Sequence, residues 1–337
     1  MDTANILNKL ISKQNLTTEE AELFLNGVIK GVVTSAQIGA ILIALRMKEE
    51  TPDEIVGFIK AMRKNMVYVN ASNAIDVCGT GGDSSGTFNI STAVAFVVAG
   101  ADVKVAKHGN RAASSKCGSA DVLEELGVNL QLSSQQAEEV FNQVGMVFLF
   151  APNFHPSMKN VVAVRKELKV RTVFNYLGPF ANPASVDKQL IGVPNVEIAK
   201  KLAEVGKTLA YKHLLIVTSE DGLDELSISS KTVLFEVKDH LVKQSTIDPT
   251  IYGLQKVDNS EVLGGNAQQN AGFIREILEG KKSAKRDIVL LNSAFALYVA
   301  GVISDIKEGI ELAEKSIDSG KAKLVLENLI KETQKYA

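Results

Sequence analysis

Near residue 74 the spacing of apolar residues in this chain changes period, and that change restricts the folds open to it. Before it, apolar positions recur at three and four, the spacing of amphipathic helices. After it, short runs rich in β-branched residues ("AIDVC", "VKVAK", "MVFLF", "LIGV", "LLIVTS") alternate with longer helical patterns. Parallel strands need long crossovers, so such alternation points to a mostly parallel sheet flanked by helices. The expected fold class is α/β, with a small all-helical domain joined to a large α/β domain around that central sheet.

Helix starts are marked in the first part. "TTEE" places Thr17 three residues before Glu20, and "TPDE" repeats the pattern with Thr51 and Glu54, with Pro52 where a missing N–H costs nothing. The stretch "TSAQIGAILIALRMK" is apolar on more than one face, so one neighbour would not cover it and a helix–helix dimer contact is expected. Residues 157–186 show no strand pattern before Thr172 and close with Gly178, Pro179 and Pro183. We expect that segment to rejoin the N-terminal helices, giving a discontinuous helical domain of residues 1–70 and about 157–186, and an α/β domain of 74–156 and 187–337. From about residue 266 the pattern is helical, with Gly280, Gly301 and Gly320 marking ends.

A chain of 337 residues suits two domains, and 45% hydrophobic with 23% charged residues is ordinary for a soluble fold. A net charge of -2 draws in neither nucleic acid nor a membrane surface. Cys78 and Cys117 form neither a CxxC pair nor a disulfide framework, so a reducing cytoplasm is expected. No basic stretch followed by an apolar core opens the chain, and the runs "AVAFVVAGA" and "AFALYVAGV" are half the length of a membrane span.

"DVCGTGGDSSGTFNIST" sits between a strand and a helix, where glycines let backbone N–H groups and the helix dipole receive an anion. It has no Gly-Lys-Ser/Thr, and Gly79, Gly81 and Ser84 break the dinucleotide fingerprint. The next strand ends in Lys107 and His108 instead of a ribose-binding acid. Asp83 would repel a phosphate unless a divalent cation or sugar hydroxyls lie between them. A second loop, "KHGNRAASSKCGSAD", carries Lys107, His108, Arg111 and Lys116, so a compound with two separated phosphate groups would find two resting places. Basic loops alone are usually solvated surface; the coincidence of two such loops is what matters. In "SEDGLDELS", Asp224 and Glu225 can face one cation only if the segment is a loop, and such a sparse pair suits Mg²⁺. Arg165 and Arg171 are candidates for gripping a carboxylate. Of the four histidines, only His108 falls in a candidate site.

Together "GTGGD...TFNISTA", "KHGNR", "GSADVLEELG", "HPSMK", "RTVFNYLGPFANPA" and "GLDELS" resemble the anthranilate phosphoribosyltransferases of tryptophan biosynthesis, in order and over nearly the whole chain. The resemblance implies transfer of the 5-phosphoribosyl group from 5-phosphoribosyl 1-diphosphate to the amine of anthranilate, with release of diphosphate. It further implies two Mg²⁺ per subunit, a site in the cleft between the domains, and a homodimer through the helical domain. Carried over by motif, Gly79, Gly82, Asp83, Thr87 and Asn89, with Ile90, Ser91 and Thr92, would bind phosphoribosyl diphosphate. So would Lys107, His108, Gly109, Asn110, Arg111, Ala112, Ala113, Ser114, Ser115 and Ser119. Ser91, Asp224 and Glu225 would hold magnesium, and Gly79, Asn110 and Arg165 would contact anthranilate, which selects Arg165 over Arg171. Lys107, His108, Asn110 and Arg165 are the expected catalytic group. Four positions depart from the family's common residues: Ser84, Glu49 and Lys169 stand where glycine is usual, and Ser157 replaces Ala. The pyrimidine nucleoside phosphorylases share the fold and a Gly-rich loop, but "KHGNR" fits the transferases better. A nucleic-acid-binding relative should have a basic surface and lack the metal carboxylates, against the charge of -2 and the presence of Asp224 and Glu225.

Overall fold

The computed structural model describes residues 2–81, 85–112 and 116–337. Two compact units emerge, one from Met1–Tyr68 with Phe154–Ser185, the other from Val69–Asn153 with Val186–Ala337. Among the described residues no helix is long and apolar enough to cross a membrane.

Among its described residues the first unit has helices and no strand: Thr3–Ile11, Thr18–Ile29, Ser35–Lys48, Pro52–Lys64, the 3-10 turn Pro156–Met158, Lys159–Leu168 and Phe174–Phe180. Reciprocal capping boxes start three of them, at Thr17 with Glu20, Thr34 with Gln37, and Thr51 with Glu54. The second box was hidden in "TSAQ", which reads as apolar-helix sequence. A Cβ at Gly57 would lie 2.3 Å from the Thr18 carbonyl oxygen, so glycine is what lets the helices Thr18–Ile29 and Pro52–Lys64 pack this closely. Phe24, Phe58 and Phe174 then stack edge to face with centroids 6.0 and 5.8 Å apart. Glu54 is fully buried but fully engaged, pairing with Lys48 at 2.9 Å and accepting from the Leu16 and Thr51 amides at 2.8 Å each. The strand-like run at Thr172 becomes no strand. The Asn175 side chain accepts from the Thr172 amide at 3.0 Å, and Phe174, Leu177 and Phe180 bury at helical spacing.

Among its described residues the second unit carries seven strands: β1 Asp76–Gly79, β2 Val105–Gly109, β3 Met146–Phe150, β4 Lys188–Gly192, β5 His213–Ser219, β6 Thr232–Lys238 and β7 Leu241–Ile247. Strands β1, β4 and β5 pair in parallel and continue through an antiparallel β5–β6–β7 edge, while β2 and β3 pair in parallel. A bridge between Ile75 and Val105 joins the two sheets, giving the order β3-β2-β1-β4-β5-β6-β7. The β6–β7 hairpin was not legible as strands because its turn lacks glycine: Asp239 and His240 adopt φ of 51° and 61°, which sequence patterns assign to Asn-Gly. The helix Ile90–Gly100, following β1, is buried over nearly its whole length and forms the middle of the core. The helices Ala267–Leu278, Ala284–Ala300, Ile306–Asp318 and Lys321–Gln334 complete the layer. Between β1 and β4 the order reverses, the place where open α/β sheets leave a crevice at the carboxyl ends of their strands.

Candidate active site

At the end of β1 the chain must pass under a carboxylate. A Cβ at Gly79 would sit 2.5 Å from Asp224 Oδ2, and one at Gly192, the end of β4, would sit 1.5 Å from the Asp224 carbonyl oxygen. Both strands therefore end in glycine because Asp224 lies over them. The Gly81 amide donates to Asp224 Oδ2 at 2.8 Å, and the Thr80 amide donates to the Gly192 carbonyl at 2.9 Å. The predicted residues Gly82 and Asp83, with Ser84, lie outside the described residues. Thr87 forms a bridge with Leu263, and Asn89 opens the helix Ile90–Gly100, which begins with Ile90, Ser91 and Thr92. The Asn89 side chain makes no cap bond to that helix, which leaves the positive end of its dipole and the Ser91 amide without a cap among the described residues.

The positive charge missing from this first loop arrives from β2. Lys107 is 1% exposed; its Nζ donates to the Val77 carbonyl at 2.6 Å and to Ser91 Oγ at 3.1 Å. The ammonium thus lies between β1 and the first turn of the helix. His108 is buried, and its amide donates to Asp76 Oδ1 at 3.3 Å. Asp76, fully buried, also accepts from Gln189 on β4 at 3.1 Å, so one carboxylate ties together the three strands of the crevice. Burial, with the negative Asp76 adding to it, pushes the Cys78 thiol well above its ordinary range, which removes it as a nucleophile.

In the second loop, Gly109 and Gly118 are forced: a Cβ on Gly109 would lie 2.2 Å from Ser119 Oγ, and one on Gly118 would lie 2.4 Å from the Ala112 amide. Ser119 donates to the Asn110 carbonyl at 3.4 Å. Asp121 Oδ2 accepts from the amides of both Ala112 (2.9 Å) and Gly118 (2.8 Å), closing the loop at its base. Ala113, Ser114 and Ser115 lie outside the described residues. Arg111 pairs with Asp121 at 3.1 Å and, through both guanidinium nitrogens, with Glu124 at 2.8 and 2.9 Å, while stacking on Phe150.

Asp224 and Glu225 sit on a loop after β5, each 8% exposed. A hydroxyl and a side-chain amide hold that loop: Ser219 Oγ donates to the Glu225 carbonyl at 2.7 Å, and the Leu226 amide donates to Asn292 Oδ1 at 3.0 Å. Asp224 and Glu225 are two buried carboxylates beside a backbone cut back to glycine at 79 and 192, and such a sparse pair fits Mg²⁺, which takes one or two carboxylates and fills the rest with water and phosphate. No cluster of three or more His, Cys, Asp or Glu suited to a metal occurs among the described residues.

Arg165 belongs to the helical unit, on Lys159–Leu168. Its guanidinium stacks on Phe174 at 5.7 Å, half-buried, and burial lowers its pKa from the ordinary value. No carboxylate of the described residues pairs with it, whereas Arg171 is exposed. His155, buried, is a structural group, bonded through Nε2 to the Ala181 carbonyl at 2.8 Å. Sequence reading missed Asp76, Asp121, Glu124 and the segment 261–270, which braces the first loop; the only hint there was "GGN" before a helix start.

Family models match two parts of the chain: the glycosyl transferase family helical bundle domain over residues 4–66, and the glycosyl transferase family a/b domain over 71–323. The chain is 48% identical over 316 residues to an anthranilate phosphoribosyltransferase of Clostridium beijerinckii, covering 93% of each. It is 48% identical over 334 residues to that of Dehalococcoides mccartyi, covering 98% of each. Among solved structures it matches the anthranilate phosphoribosyltransferase of Thermus thermophilus with a TM-score of 0.92 and 38% identity, over 99% of this chain and 100% of that one. The Saccharomyces cerevisiae enzyme in complex with PRPP and Mg matches with a TM-score of 0.91 and 29% identity, over 99% of this chain and 98% of that one.

Proposed function

This chain belongs to the anthranilate phosphoribosyltransferase family, and from that premise we propose how its own residues divide the reaction. The activity is Mg-dependent transfer of a phosphoribosyl group from phosphoribosyl diphosphate to anthranilate in tryptophan biosynthesis. The observation that carries the site assignment is the Gly81 amide bonded to Asp224 Oδ2 at 2.8 Å, which fastens the phosphate loop to the carboxylate loop at the sheet's switch point.

In the reaction the bond from ribose C1 to the diphosphate oxygen breaks, a bond from C1 to the anthranilate nitrogen forms, and the amine loses one proton. The departing electron pair leaves with diphosphate while positive charge develops on the sugar ring, so neutralising the leaving group matters more than a strong nucleophile. Gly79, Thr87, Asn89, Ile90, Ser91, Thr92, Lys107, His108, Gly109, Asn110, Arg111, Ala112 and Ser119 would cradle the phosphates with backbone amides and the buried ammonium. Gly82, Asp83, Ala113, Ser114 and Ser115 keep their proposed binding role on the motifs alone. Ser91, Asp224 and Glu225 would hold two Mg²⁺ per subunit, which when bound offset the charge of the leaving diphosphate. Arg165 is proposed to grip the anthranilate carboxylate, supported by its half-buried guanidinium and the absence of a carboxylate partner among the described residues, with Asn110 and Gly79 completing that contact. Positioning then suffices for the weakly nucleophilic aromatic amine, and no covalent enzyme intermediate forms. We further propose a cytoplasmic homodimer.

Loss of anthranilate fluorescence on addition of phosphoribosyl diphosphate, dependent on Mg²⁺, is the expected result; no magnesium-dependent loss would refute the reading. Arg165→Ala should raise the KM for anthranilate and leave phosphoribosyl diphosphate binding intact, and the opposite pattern would reassign the residue. Phosphorolysis of thymidine in place of this reaction would favour the phosphorylase alternative.

A further inference from the structure

Asn270 lies in the first turn of the helix Ala267–Leu278 and is 1% exposed. A buried amide needs partners for both its oxygen and its N–H groups. Its Oδ1 accepts from the Gly265 amide at 2.7 Å, and its Nδ2 donates to Asn89 Oδ1 at 2.9 Å. Asn89 in turn donates from Nδ2 to the Cys117 carbonyl at 3.2 Å. A single line of amides therefore runs from the turn at Gly265, through the end of the first phosphate loop, to the base of the second.

Two independent features give the line a purpose. Asparagine at a helix N-cap ordinarily bonds its own helix's amides, yet Asn89 makes no such bond, because its side chain is drawn into this relay. Ile90 and Thr92 donate to the Phe88 and Asn89 carbonyls at 2.7 and 3.1 Å, so among the described residues it is the Ser91 amide, a usual target of an N-cap side chain, that is left for an incoming anion. The turn anchoring the line is itself fixed: Gly264 donates to the Gly86 carbonyl at 2.9 Å, and a Cβ at Gly264 would lie 2.6 Å from Phe88 Cα.

Resting on the functional reading above, we propose that Asn270 is a positioning residue for phosphoribosyl diphosphate: it keeps Asn89 from capping its helix and sets the spacing of the two phosphate loops. Neither Asn270 nor its turn touches the reacting atoms; they act through Asn89.

Asn270→Ala and Asn270→Asp, made in the full chain, test it. The aspartate variant keeps an acceptor for the Gly265 amide but has no N–H for Asn89; if Asn89 turns its amide to meet the carboxylate, the link to Cys117 breaks instead. Both variants should show the KM for phosphoribosyl diphosphate raised about tenfold, as for one buried hydrogen bond lost, with the KM for anthranilate within about twofold of wild type. The aspartate variant should also keep a near-native thermal midpoint, separating positioning from folding. Unchanged phosphoribosyl diphosphate KM in both variants, or both KM values rising together with falling stability, would overturn the proposal. Wild-type chain that forms no product would instead overturn the functional reading beneath it.

Discussion

At the scale of single residues, two of the departures from the family's common residues, Glu49 and Lys169, are conformational. Glu49 adopts φ 71° at the C-cap of Ser35–Lys48, and Lys169 adopts φ 52° in the left-handed region at the C-cap of Lys159–Leu168. Left-handed backbone costs a residue with a Cβ about 1–2 kcal/mol, and glycine gives back about 0.5–1 kcal/mol through its freer unfolded state. Glu49→Gly and Lys169→Gly should each raise stability by roughly 0.5–1 kcal/mol, read as a higher urea midpoint with an unchanged slope. Ser157 has a different reason: its Oγ donates to the Asn65 carbonyl at 3.1 Å, a bond alanine could not make. The positions were legible in the sequence; the positive φ was not, since nothing in "MKEET" or "ELKVR" marks where a helix turns left-handed. His155 adds a pH effect. Burial lowers its pKa from about 6.5, outweighing the Ala181 carbonyl bonded to Nε2. The unfolded chain therefore takes up the proton first, and the stability His155 contributes is present above about pH 6.5 and lost as pH falls below it. His155→Gln should flatten the acid side of the midpoint-against-pH curve, although His213, lowered chiefly by burial too, will leave part of the slope.

The elements were read unevenly, and the loops explain why. Both Gly-rich loops announced themselves because glycine is required where a Cβ would strike Asp224 or Ser119. What fastens them did not. Asp76, Asp121 and Asn270 look like any polar residue in a strand or helix, since their partners lie on other segments, up to 181 residues away for Asn270 with Asn89. Asp121 is the clearest case. Burial alone would raise its pKa, but the amides of Ala112 and Gly118 and the Arg111 guanidinium hold it below the usual carboxylate value. It therefore stays charged as the clasp of the second loop. Asp121→Asn retains one acceptor oxygen for three donors, and the KM for phosphoribosyl diphosphate should rise about tenfold while the far-UV spectrum stays native. An unchanged KM would show that the loop holds its shape without the carboxylate.

For the whole molecule, the change of period near residue 74 was enough to separate helical from α/β architecture, because periodicity reports which faces are buried, and apolar burial is the main force driving a chain to fold. The same logic extends to the face that stays uncovered. On Ser35–Lys48, Ile38, Ile41, Leu42 and Leu45 are buried, yet Ala36, Ala40, Ile43 and Met47 recur at the same helical spacing on another side, with Met47 80% exposed. Within the helical unit that second side borders a groove shared with Val164 and Leu168, and Val32, Val162 and Leu23 stand 70%, 57% and 53% exposed. These exposed apolar side chains are where the proposed homodimer would pack, since a second copy of the chain carries the same face, as a two-fold dimer requires. Light scattering should give twice 36.2 kDa for wild type. Ala40→Glu places a charge in the centre of the face without filling the unit's own core, so its solution mass should fall to 36.2 kDa while helicity is kept. A wild-type mass of 36.2 kDa at micromolar concentration would mean that this face is left bare in solution and that the dimer assignment is wrong.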